Sequence, residues 1–195
     1  NNANCGVYDE VTTMQWKNEI IIYLDKSIPK NVRKNFKSFF RQINDLDNLR
    51  VSFTRNIEKA NFLIENTSDD LSTRLGISNK SELYPYSHTY YSLLTDNNSK
   101  FYGGTLSINI EAIKDKTLLL PKLKQLFFIC LGQFTIDKDV KPNSLLSYSY
   151  NNAHILSEED KALLNLHYIK LHKKPLSCLS YGKFITQLKT SCKDE

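Results

Sequence analysis

Hydrophobic residues recur along this chain in several distinct rhythms, and each rhythm predicts an element. Glu19 to Leu24, EIIIYL, is a continuous run rich in β-branched residues and closed by Asp25 and Pro29, the pattern of a buried strand. From Pro29 the rhythm changes: Val32, Phe36, Phe39, Phe40 and Ile43 recur at helical spacing. Pro29 precedes the first turn, where a missing N–H costs nothing. Leu49 to Thr54 alternates as a strand, and Ala60 to Glu65 (ANFLIE) reads as another. Asp69 to Leu75 reads as a short helix capped by Ser68 or Asp69, and Ser78 to Thr89 as a polar, tyrosine-rich loop. Tyr90 to Leu94 predicts a strand followed by a DNNS turn, with Asp96 a turn residue. Leu106, Ile108 and Ile110 then alternate strictly, as in a strand with one buried face. Gly103 and Gly104 at its start allow a bulge or a close backbone approach.

Thr117 to Phe134 is apolar around most of a helical circumference, which predicts a central, buried helix. Gly132 is placed to stop it in the left-handed conformation. Asp137 to Asn152 is a polar loop. Ser157-Glu158-Glu159-Asp160 forms a capping box that opens a helix to about Leu171, which explains these carboxylates better than acid–base chemistry. Pro175 ends what precedes it, and Tyr181 to Leu188 gives a last short helix. The opening strand–helix–strand order requires a crossover, so part of the sheet is parallel. The expectation is one α+β domain over residues 1–195, with a core at about 16–170 and a C-terminal extension at 171–195. It has a mixed twisted sheet, an N-terminal crossover helix, a central buried helix and C-terminal helices.

Length and composition narrow this further. A chain of 195 residues, 41% of them apolar, suits one domain with its own core and excludes disorder by composition. No run of 18 apolar residues occurs, so no transmembrane segment is expected. The net charge of +5 is compatible with an anionic partner but falls far short of a nucleic-acid binder's basic footprint. Lys30, Arg33, Lys34, Lys37 and Arg41 share the helix face opposite the core stripe, reading either as a solvated face or as a docking surface for an acidic partner.

Four cysteines, Cys5, Cys130, Cys178 and Cys192, contain no CxxC pair, and their even count and wide spacing point to an oxidising compartment. Cys5 with Cys192, or Cys178 with Cys192, are disulfide candidates, and Cys130 reads alternatively as a plain buried thiol. Asn4 makes a poor neighbour for a lipid-modified Cys5. Asn66, Asn79 and Asn97 stand in Asn-x-Ser patterns. His167 and His172 are five apart and diverge on a helix, unlike paired metal ligands, so no metal site is assigned to them. Tyr84, Tyr86, Tyr90 and Tyr91, with His88, form either a carbohydrate- or protein-binding surface or cross-strand packing. No GxSxG, P-loop or GxGxxG motif is present.

Several strings, taken in order, carry a resemblance: WKNEIIIYLDKSIP, ANFLIE, FYGGTLSINIEAI, LGQF, and NSLLSYSY followed by LSEEDKALLNLHY. From Trp16 to Tyr168 they resemble the metzincin-like zinc-protease fold and, within it, the DUF2927 family of bacterial, often exported proteins. The metzincin helix reads HExxHxxGxxH, with histidines holding zinc and the glutamate acting as base on metal-bound water. If Gly132 stands at that glycine, the ligand positions are Gln125, Ile129 and Thr135, and the base position is Leu126. Ile129 cannot bind a metal and Leu126 cannot move a proton. The resemblance therefore implies a degenerate site filled with side chains, with no metal and no cofactor. It implies a secreted or periplasmic, non-catalytic protein that binds another envelope or secreted protein. The alternatives are a peptide or cell-wall hydrolase with a relocated site, and a carbohydrate-binding module using the tyrosine-rich surface.

Overall fold

The β-branched run at Glu19–Leu24 becomes an interior strand of a sheet. A computed structural model describes residues 12–71, 86–172 and 176–177. In it β1 is Thr12–Thr13, β2 Ile20–Leu24, β3 Val51–Thr54, β4 Phe62–Asn66, β5 Thr89–Thr95, β6 Phe101–Ile108 and β7 Leu176–Ser177. The helices are α1 Lys30–Phe40, α2 Leu119–Cys130 and α3 Glu158–Tyr168. Five strands lie in the order β3-β2-β4-β6-β5, and β1 pairs separately with β7. All pairings within the five are parallel except β5 with β6. Mixed helix and strand content around this one sheet makes an α+β domain, with the expected crossover β2–α1–β3 at its start.

Side-chain alternation sets one face of the sheet against the helices. Ile20, Ile22, Leu24, Phe62 and Ile64 are buried, while Ile21, Tyr23, Leu63 and Glu65 on the opposite face are half-buried. The run at Glu19–Leu24 is thus buried on one face rather than two. Phe127 of α2 fills the centre, its ring 4.7 Å from Phe40, 5.5 Å from Phe36 and 5.2 Å from Phe62, all at steep edge-on angles. Trp16 extends this cluster to Phe62 and Phe101. Gly104 lets β5 and β4 approach β6: a Cβ there would meet Leu93 and Phe62 carbons at 2.9 Å. Tyr102 is the extra residue of a bulge where Leu94 pairs with Gly103 and Thr95 with Phe101.

Pro29 sits at the N-cap of α1, as its ring favours. The end of α2 departs from expectation. Gly132 is not in the left-handed region; Gln133 is, at φ 53°. Glycine is required at 132 for space, because a Cβ would lie 2.5 Å from the Phe134 ring and 2.9 Å from His167 Nε2. The carbonyls that α2 leaves open at its end go to side chains instead: Trp16 Nε1 donates to Cys130 O at 2.9 Å, and Tyr168 Oη donates to Leu131 O.

α3 opens as the capping box predicts on one side, with Ser157 Oγ accepting from Asp160 N at 3.1 Å. It stops at Tyr168, short of Leu171, because Asn48 Nδ2 takes Tyr168 O and Gln15 Nε2 takes the carbonyls of His167 and Lys170. Residues 69–71 are not helical, and the rest of that expected helix, like the expected helix at 181–188, lies outside the described residues. The expected loop at 78–89 gives way to strand at Thr89. Among the described residues no helix is long and apolar enough to cross a membrane.

Candidate functional site

The resemblance noted in the sequence would put zinc ligands on and just beyond the central helix, and the side chains at those positions have the following surroundings. Leu126 and Ile129 are completely buried, and both offer only hydrocarbon. Gln125 is buried too, and its amide nitrogen donates to Leu145 O at 3.1 Å and Ser147 O at 2.7 Å. Thr135 lies beyond the helix and is exposed. The four positions therefore do not fit a zinc ion: two have no donor atom, and the amide at Gln125 is turned, through its N–H groups, onto a loop. Among the described residues no three His, Cys, Asp or Glu side chains cluster as metal ligands would.

That loop is held from a second side. Asp160 of α3 accepts from Ser144 Oγ at 2.5 Å and from Leu145 N at 2.9 Å. Burial pushes its carboxyl pKa up, while these bonds and the Ser157 hydroxyl pull the other way. Asp160 thus does more than cap a helix; the capping reading accounts for its backbone N–H but not for its side chain.

Two lysines on α2 are buried, and the sequence reading of an apolar helix gave them no role. Lys122 Nζ donates to Ser87 Oγ at 3.0 Å. Lys124 Nζ donates to Asn152 Oδ1 at 3.0 Å and Ala153 O at 2.8 Å, and lies 4.2 Å from the Phe39 ring centroid. Desolvation lowers its pKa to about 8. Its bonds fasten residues 152 and 153 to the helix.

Among the described residues, the rings of the tyrosine-rich segment do not share one face. Tyr86 and Tyr91, 6.5 Å apart, pack against the core, and desolvation followed by the nearby Cys130 raises the Tyr91 hydroxyl pKa. Tyr90 is the next residue along β5, so its side chain leaves from the other face. His88 holds a left-handed turn at φ 59°, and Tyr84 lies outside the described residues. Cross-strand and core packing is the reading the geometry favours for this segment.

Cys130 is free and fully buried, and desolvation drives its thiol pKa upward, which disfavours the reactive thiolate. Of the two readings of this residue, the structure has it as the plain buried thiol; Cys5, Cys178 and Cys192 lie outside the described residues. His167 is buried, with Nε2 2.8 Å from Met14 O, and burial lowers its pKa. A cleft of about 280 Å³ is lined by Trp16, Lys17, Asp96, Asn98, Lys100, Leu171 and His172. Its charged groups are already engaged: Lys17 pairs with Asp96 at 3.3 Å, and Lys100 Nζ donates to Gln15 Oε1 at 2.7 Å. Asp96 also accepts from Asn98 N and Lys100 N, as a turn residue does.

The basic face of α1 is the remaining candidate. Lys30, Lys34 and Arg41 are exposed, and Arg33 and Lys37 are half-buried. Arg33 Nε donates to Ile28 O at 2.9 Å, and Lys37 lies 5.7 Å from the Phe53 ring centroid. The Lys37 pKa is lowered by desolvation first, then by Arg33, Arg55 and Arg41. Arg55, at the end of β3, therefore belongs to this face; sequence spacing alone could not place it there. No protein-family model matches the chain, and no curated protein matches it at a significant level.

Proposed function

We propose that this is an exported bacterial protein that acts by binding another envelope or secreted protein, on a degenerate zinc-protease-like scaffold of the DUF2927 kind. One observation carries the reading. The amide of Gln125, at a position where a metzincin would place a zinc ligand, donates to the loop carbonyls of Leu145 and Ser147, beside two sealed hydrocarbon side chains at Leu126 and Ile129. A helix packed in this way supports folding, not hydrolysis, and leaves the surface as the working part. The packing of Tyr86 and Tyr91 against the core weighs against a sugar platform in favour of a protein partner.

Metal analysis of the purified protein, together with digestion of a fluorogenic peptide library, tests this reading. The expected result is sub-stoichiometric zinc and no cleavage. One zinc per chain with chelator-sensitive cleavage would overturn it.

A further inference from the structure

The proposal of a binding protein leaves open where the partner sits, and charge is distributed along this chain in a way that answers it. Residues 25–41 carry six of the 26 Lys and Arg but only one of the 21 Asp and Glu, Asp25, which leaves twenty of each sign for the rest of the chain. The entire net charge of +5 therefore equals that of one short segment. Resting on that reading of a binding protein, we propose that the basic stripe Lys30, Lys34, Lys37 and Arg41, widened by Arg33 and Arg55, docks an acidic segment of a partner protein.

An ordinary solvated helix face mixes signs, so that cations and carboxylates three or four residues apart support one another. α1 has no acidic residue, and among the described residues none of these six cations forms an ion pair. Asp25 accepts from the Ser27 N–H and hydroxyl, and of the six cations it is Arg33 that helps to lower its carboxyl pKa. At Lys37 desolvation first, and then three arginines, disfavour the protonated form, and among the described residues no carboxylate opposes them. Uncompensated like charge costs stability in the free protein and is relieved when an anion arrives.

The shape of the stripe selects the kind of anion. Positions 30, 34, 37 and 41 fall on one line of the helix, about 16 Å long at 1.5 Å per residue. That length matches a short acidic peptide segment, to whose carboxylates the guanidinium groups of Arg33 and Arg41 can donate in forked pairs. The other exposed residues of α1 are Asn31, Asn35 and Ser38. None can stack on a nucleobase or insert into a lipid surface, which separates this face from single-strand and membrane binders.

Fluorescence anisotropy with a labelled peptide of Asp and Glu tests the proposal. Its Asn/Gln counterpart, a single-stranded DNA oligonucleotide and phosphatidylserine vesicles serve as competitors. The expected result is salt-sensitive binding of the acidic peptide that K34E/R41E weakens about tenfold, while K138E/K170E, with the same change in net charge, weakens it less than about twofold. All four positions are exposed, and circular dichroism checks that both variants fold. Equal loss in both variants, no binding, or tighter binding of DNA or vesicles through the same residues overturns the inference. The broader reading falls separately, on zinc-dependent cleavage.

Discussion

Gln125 and Ser147 stand 22 residues apart in sequence and meet at 2.7 Å, the helix amide donating to the loop carbonyl. This bond converts the helix position nearest in character to a metal ligand into a fastener for the segment that covers it. The same amide also reaches Leu145 O, so its loss strands two acceptors in a dry site. Gln125→Ala is expected to lower unfolding stability by ~2–3 kcal/mol, against about 1 for an isolated exposed bond. Urea denaturation of the two proteins gives the difference directly, and a change below half that size would mean that water replaces the amide.

Lys124 makes stability depend on pH in an unusual direction. Its folded pKa, about 8, lies below the ordinary 10.5 because burial disfavours the ammonium. Between those two values the unfolded chain keeps a proton at this site that the folded chain gives up, so this contribution to stability rises with pH through that window. Below about 8 both states are protonated and the burial penalty is present in full. Lys124→Met removes the group. The difference in denaturation midpoint, wild type minus variant, should therefore climb through the window, and parallel curves would show that Lys124 is not desolvated. Lys37 and Lys100 are shifted in the same direction but contribute to both curves alike.

The elements that rest on local rhythm were legible in the sequence. Val32, Phe36, Phe39 and Phe40 announce α1 because a helix repeats its buried face every three or four residues, and Ser157 announces the start of α3 because a cap is a short-range bond. What depends on distant partners was not legible. The sheet order follows from long-range pairing, and β1 with β7 is a two-residue contact across most of the chain. Lys122 and Lys124 look like surface residues to any hydropathy rule, yet the fold supplies half-buried acceptors for both. Of the proposed binding face, the α1 stripe followed from spacing, whereas Arg55 comes near it only through the fold.

The end of α2 yields a test that opposes the usual rule for helix-terminal glycines. Gly132 has an ordinary φ but no room for a methyl group, whereas Gln133 carries the left-handed strain at φ 53°. Gly132→Ala should destabilise by about 1–3 kcal/mol through collision with Phe134 and His167, neither of which can retreat far in a packed core. Gln133→Gly should be neutral or stabilising by up to ~1 kcal/mol, since relief of strain outweighs the added freedom of the unfolded chain. Thermal midpoints of the two variants decide the matter, and the reverse ranking would return the left-handed role to Gly132.

Residues 144–147 are held by α2 through Gln125 and by α3 through Asp160, and the two helices therefore share one strap. Fasteners on the same segment do not act independently. Once one side is released, the loop swings toward water and the other side has less to hold. Gln125→Ala and Asp160→Ala should each destabilise strongly, but the double variant should fall short of their sum by about 1 kcal/mol or more, the coupling expected of groups acting on one structural unit. Hydrogen exchange offers an independent reading: the amide of Leu145, bonded to Asp160, should lose protection in Gln125→Ala although its own acceptor is intact. Strict additivity, with unchanged exchange at Leu145, would mean that the loop is two separate attachments, and that the filled helix face does not depend on α3 to stay closed.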